Sequence, residues 1–287
     1  MFHLHQIRIG RIAMAVGLAA GLATAAVAAH AADATFDRTL SVSGKVDLTV
    51  TTGSGSIHIK RGPAGSIHIF GRVRPGWGQS DASAQEIASH PPIQQTGNIV
   101  RIGYQHDVPR NISIDYEVEA PEGAMVEAAT GSGDITDDGV GQNTKLSTGS
   151  GTIHATGLKG ELKLETGSGS IYVQQDEAGD VKAETGSGSI ELHHIRGALK
   201  AETGSGSIKA DGMPVSPWKL ETGSGGVEVW SNGTPFTLDA ETGSGGVHSD
   251  REVVGQNPEN HHHLSGKVGG GGALVKIETG SGSIHIH

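Results

Sequence analysis

Asp134, Asp137 and Asp138 place three carboxyl groups within five residues of one another. Paired carboxylates are what glycoside hydrolysis needs, one as acid and the other as base or nucleophile. Asp137 also interrupts a pattern, because other repeats carry an apolar residue at its position. A polar residue is expected where a first regular coil meets a cap, and that is the favoured reading. The cluster therefore supports an envelope carbohydrate-active enzyme only as the alternative reading, and no catalytic residue is assigned. A second pattern is a column of acids at Glu165, Glu184, Glu202, Glu221 and Glu241, each two residues after a Lys or Asp. Lys163, Lys182, Lys200 and Lys219 form the matching basic column, and Asp239 interrupts it. Such columns make either a charge-balanced solvated face or a strip that binds polysaccharide or cations.

The chain has 16 His and no Cys, so any metal site must be built from imidazole and carboxylate. The densest run is His261-His262-His263, expected on a loop. His58, His154, His248 and His285 share one repeat position, yet they are expected on non-adjacent coils and so make no column. No specific metal site and no cofactor is therefore expected. The Gly-Ser-Gly elements lack the Gly-Lys-Ser/Thr ending and the following helix of a phosphate loop.

Positioning these columns requires a repeating scaffold. Thr-Gly-Ser-Gly occurs nine times, beginning at Thr52, Thr130, Thr148, Thr166, Thr185, Thr203, Thr222, Thr242 and Thr279. From Thr130 the steps are 18, 18, 19, 18, 19, 20 and 37. Self-similarity at this spacing marks a stacked array. Four and two residues before the Thr stand apolar pairs such as Leu162 and Leu164, or Trp218 and Leu220, and five after it stands Ile or Val throughout. Period-two alternation on both sides of a Gly turn gives two short strands per repeat, each with one inward face. The expected fold is all-β: a single-stranded, right-handed β-solenoid (β-helix) of about 18–20 residues per coil, with irregular N-terminal coils and a cap. A meander of antiparallel hairpins is the competing topology. Thr follows the inward positions and should point to the core or corner, which argues against a hydroxyl lattice of the ice-binding kind.

Three segments are expected. Residues 1–31 read as a secretory signal peptide: Arg8 and Arg11, the apolar run Ile12 to Ala29, then Ala29-His30-Ala31. Residues 32–123 form irregular β coils, with a short helix from Ser80 to Ser89 and strands at Ile99 to Tyr104 and Ile112 to Ala120. Residues 124–287 form the regular solenoid, continuous with the preceding part. Its last coil carries Val275, Ile277, Ile284 and Ile286 inward, and an uncovered β edge there would invite pairing. Leu264 to Gly272 is expected to fold over that edge, or a second chain to self-associate through it.

Phe36-Asp-Arg-Thr-Leu-Ser-Val-Ser-Gly44, the strand Asp115-Tyr-Glu-Val-Glu-Ala-Pro121 and the Gly-Ser-Gly-Ser/Asp-Ile array resemble the bacterial "putative adhesin" family of β-strand-repeat envelope proteins. The resemblance implies a β-helix in the cell envelope, in the periplasm or at the surface, and implies no reaction. Its partner would be a polysaccharide or another envelope component. Nucleic acid is disfavoured by 21 basic against 31 acidic residues, a net charge of −10. No membrane span is expected once the signal is cleaved.

Overall fold

The computed structural model describes residues 34–103, 111–255 and 261–287. The signal segment 1–31 and Tyr104 lie outside the described residues. The rest is all-β apart from one helix, Asp81–Ser89, whose N-cap Ser80 accepts a hydrogen bond from the Ser83 amide. No helix among the described residues is long and apolar enough to cross a membrane.

Each regular repeat gives one strand to each of two long sheets, and the Thr-Gly-Ser-Gly corner joins the two strands. In one sheet Asn143–Thr148, Glu161–Thr166, Val181–Ser187, Leu199–Ser205 and Trp218–Ser224 pair in parallel. In the other, Ile135–Asp138, Ile153–Leu158, Ile171–Gln175, Ile190–Ile195, Ile208–Gly212 and Val227–Trp230 do the same. Parallel pairing in register excludes the hairpin meander for this region. Neither sheet closes into a barrel. The stack is solenoid-like.

The inward positions are those the alternation picks out. Leu162, Leu164, Ala183, Leu220, Ile153, Ile171, Ile190 and Ile208 are all buried, as is Trp218, whose Nε1 donates to the Gly197 carbonyl at 3.0 Å. Burying a side chain of this size contributes about 1.5–3 kcal/mol. The interior is narrow, which fits a chain with only ten aromatic residues.

Both ends depart from sequence order. Asp47–Thr52 and Ile57–Arg61 stack directly on Met125–Thr130 and Ile135–Asp138, so the first Thr-Gly-Ser-Gly coil adjoins the second despite the long excursion between them. Within that excursion Ser66–Pro75 pairs antiparallel with Ala34–Ser41 and with Ile112–Ala120. At the other end Leu274–Ser281 lies between Trp218–Ser224 and Phe236–Ser244, and Ile284–Ile286 lies between Val227–Trp230 and Val247–Ser249. The last coil in sequence is therefore interior, and the expected bare edge on it does not exist. Strand His263–Val268 covers an edge, as expected of this segment, but that edge belongs to Phe236–Ser244, with which it pairs antiparallel. The 37-residue interval lets the chain lay down one coil, turn back across its edge and fill the gap left beneath it.

Candidate functional site

On the sheet that contains Trp218–Ser224, the outward residues before five of the corners are Lys then Glu, with Asp239 in place of Lys before Glu241, and the following Thr turns inward. Register puts Glu165, Glu184, Glu202, Glu221, Glu278 and Glu241 in one column, in that spatial order. Glu278 stands between Glu221 and Glu241 because of the inserted coil, an order that sequence spacing does not anticipate. The Thr hydroxyls are held from below. Thr166 donates to the Gly151 carbonyl at 2.9 Å, Thr185 to Gly169 at 2.8 Å, Thr203 to Gly188 at 2.9 Å and Thr222 to Gly206 at 2.8 Å. Each link joins a corner to the coil beneath it. Glu, Thr and the first Gly of successive corners line an open groove of about 1090 Å³ that runs along the stack.

The Lys column neutralises the middle of this groove. Lys182 lies 2.8 Å from Glu184, and Lys200 lies 2.9 Å from Glu184 and 2.8 Å from Glu202. Partial burial would raise the pKa of Glu184, but hydrogen bonds from Lys182 and Lys200 outweigh it and lower it to about 2. Towards Glu241 the balance changes. Lys219 pulls the pKa of Glu221 down, yet partial burial and the flanking carboxyls of Glu278 and Glu202 leave it raised. Lys276 pairs with Glu278 at 2.7 Å, but Asp239 replaces the next Lys and is engaged by His263 at 3.0 Å. The groove is thus neutralised through its centre and acidic at one end.

The three aspartates do not converge. Asp134 accepts from the Thr152 amide at 2.8 Å at the corner. Asp138 faces outward, 2.9 Å from His58 Nε2 and 2.9 Å from the Thr156 hydroxyl. Asp137 points the other way, into the core, and is fully buried. Its Oδ1 accepts from the Val140 amide at 3.1 Å and its Oδ2 has no partner. Desolvation pushes its pKa well up, against the Val140 hydrogen bond. Nor does its coil meet a cap: Ile59 lies in register on one side and Ala155 on the other. The polar residue is an interruption inside the stack, and the expectation that placed it at an end is corrected.

The opposite sheet carries a row of His and aromatic side chains on its outer face. His154 stacks on Tyr172 with centroids 4.5 Å apart, and Tyr172 meets His193 at 5.3 Å. His193 lies 2.6 Å from Asp211 and 2.9 Å from Glu191, beside a cavity of about 480 Å³ that Trp230 also lines. Burial lowers the His193 pKa, but the two carboxylates outweigh it and the net shift is upward. The reading of the shared His position as non-adjacent is overturned for one pair, since His248 and His285 are register partners on neighbouring strands. His58 and His154 remain separated by the Thr136 rung.

No curated protein matches the sequence. Solved structures similar to this chain include a "putative adhesin" from Bacteroides fragilis NCTC 9343, 14% identical over 88% of this chain and 97% of that one, with a TM-score of 0.37. A "putative adhesin" from Parabacteroides distasonis ATCC 8503 is 10% identical over 88% and 97%, TM-score 0.41. A "putative lipid binding protein" from the same organism is 13% identical over 88% and 96%, TM-score 0.43. The model of the Toastrack family, DUF4097, matches residues 99–287, well over half of the sequence. The repeated corners and stacked strands of residues 124–287 fall wholly within that match, and the chain belongs to the Toastrack DUF4097 family.

Proposed function

We propose that this protein is a non-enzymatic adhesion and structural module of the cell envelope, built as a right-handed β-solenoid, which binds an extended polysaccharide along the Glu–Thr–Gly groove. The groove carries the reading. From Glu165 to Glu241 it presents the same carboxylate and backbone corner at each rung, so a polymer can meet equivalent groups along its length. The Thr hydroxyls are already committed as donors to Gly carbonyls, which leaves the Glu carboxylates to accept from sugar hydroxyls. The apolar run Ile12 to Ala29 supports export to the periplasm or the surface. The enzyme reading is disfavoured by the aspartates themselves, since Asp137 and Asp138 lie on opposite faces of one strand and Asp137 is closed to solvent.

The test is to pass the protein over a panel of immobilised polysaccharides and measure both retention and release of reducing ends. Retention without release, lost in Glu184→Gln/Glu202→Gln/Glu221→Gln, is the expected outcome. Release of reducing ends that disappears in Asp137→Asn would establish the enzyme instead.

A further inference from the structure

Asp250 is the one acid among the described residues within hydrogen-bonding distance of three imidazoles. His248 Nε2 and His285 Nε2 each lie 3.1 Å from its Oδ1, and His287 Nδ1 lies 3.1 Å from its Oδ2. At His58, His68, His193 and His263 the acid contacted is within hydrogen-bonding distance of a single imidazole.

Three elements build this arrangement. The pairing of Val247–Ser249 with Ile284–Ile286 brings His248 beside His285. The Asp250 amide donates to the Ile286 carbonyl at 2.8 Å, which fixes the carboxylate next to the inserted coil. The His287 amide donates to the Val229 carbonyl at 2.9 Å, and its ring stacks on Trp230 at 4.5 Å with the planes 4° apart. The site therefore draws on neighbouring rungs and is rigid on one side. On the other it is open, with the His248 side chain 68% exposed and that of Asp250 50% exposed.

We propose that His248, Asp250 and His285 bind one divalent transition-metal ion of the zinc class, with His287 orienting the carboxylate. One ligand atom from each of the three lies within 4.8 Å of the others. Metal–ligand bonds of about 2.0–2.1 Å in a tetrahedral site place ligand atoms about 3.3 Å apart, close to the 3.1 Å separations present here. Two imidazoles and one carboxylate suit zinc, cobalt, nickel or copper and do not suit calcium or magnesium, which take oxygen donors. Three protein ligands with an exposed side leave positions for water. The contact from His287 to the second carboxylate oxygen is the outer-shell support that metal-bound carboxylates receive. The ion would join two strands that are neighbours in space but distant in sequence. This inference is independent of the polysaccharide reading, which concerns the other sheet.

Equilibrium dialysis of the purified full chain against zinc chloride tests it, together with the visible spectrum of the cobalt form and the zinc dependence of the melting temperature. One ion per chain is expected, with a cobalt spectrum of low coordination number and a saturable rise in Tm. The doubly substituted His248→Ala/His285→Ala protein loses all three signals, and so does Asp250→Asn. His287→Gln weakens binding by about 10–100-fold while the stoichiometry stays at one. His193→Ala and His263→Ala leave it unchanged. Because His248 and Asp250 are exposed and His285 is only half-buried, circular dichroism should show these variants folded as the parent is. Absence of saturable zinc binding overturns the proposal, as does binding that survives the double substitution or disappears only when His261, His262 and His263 are replaced.

Discussion

At the scale of single residues, Asp137 is where the chain departs furthest from its own pattern. Val173, Leu192 and Val229 occupy the equivalent position in later repeats and are buried there without cost. Asp137 is buried in the same way and leaves Oδ2 unpartnered. The folded state holds its proton more tightly than the unfolded chain does, because desolvation raises its pKa. Stability from that tighter binding is complete below the unfolded-chain pKa and is lost as pH rises towards the folded one. Asp137→Asn keeps an acceptor for the Val140 amide and removes the ionisable group. The variant should therefore be more stable than the parent at neutral pH, by about 1–3 kcal/mol, with the difference shrinking in acid. Urea midpoints of the two proteins from acid to neutral pH check this, and parallel curves would show that Asp137 carries no such penalty. The odd position of this residue was legible in the sequence. Its burial between two full coils was not, because the neighbour on one side, Ile59, comes from a repeat separated from it by the excursion.

At the scale of the element, the corner explains why four residue types recur. Thr donates to the Gly carbonyl one coil below, and the Gly residues let successive corners touch. A Cβ on Gly206 would lie 2.1 Å from the Gly188 carbonyl oxygen, so only Gly fits that approach. Gly246, which extends another corner, has open space around it. Three substitutions separate these roles. Thr203→Val removes the 2.9 Å bond to Gly188 and should cost about 1–3 kcal/mol, whereas Thr203→Ser retains the hydroxyl and should cost less. Gly206→Ala must push two coils apart and should cost more than Thr203→Val. Gly246→Ala should stay within about 0.5 kcal/mol of the parent. Chemical denaturation of the set gives the order, and a Gly206→Ala protein as stable as Gly246→Ala would refute the stacking account. Here sequence reasoning reached far: period-two alternation identified the inward faces, and Thr was read as turned towards core or corner. The hydroxyl's acceptor was out of reach, since it lies on another coil whose register only the fold supplies.

At the scale of the molecule, the order of coils in space differs from their order in the chain, and this is what sequence periodicity could not disclose. Periodicity reports that Leu274–Ser281 is a coil of the same kind as the others. It carries no information about which two coils flank it, because every corner is chemically equivalent. Two misread features follow from that one ambiguity: the supposed bare edge on the last coil, and the supposed separation of His248 from His285. Stacked repeats exchange most of their energy with nearest neighbours, so an interior coil couples the coils on either side. Ile284 is fully buried in the inserted coil, in register with Val227 on one side and Val247 on the other. Ile284→Ala should cost about 2–5 kcal/mol locally. Its effect on hydrogen exchange distinguishes the two orders. With the coil inserted, amides of Val227–Trp230 on one side and of Val247–Ser249 on the other lose protection along with those of Ile284–Ile286, while Ile153–Leu158 and Ile171–Gln175 keep theirs. If the coils were wound in chain order, the loss would be centred on residues 274–287, and Val227–Trp230 would no longer be a direct neighbour of the substituted strand. Retention of parent-level protection at Val227–Trp230, with exchange raised only in Ile284–Ile286 and Val247–Ser249, would sink the inserted arrangement.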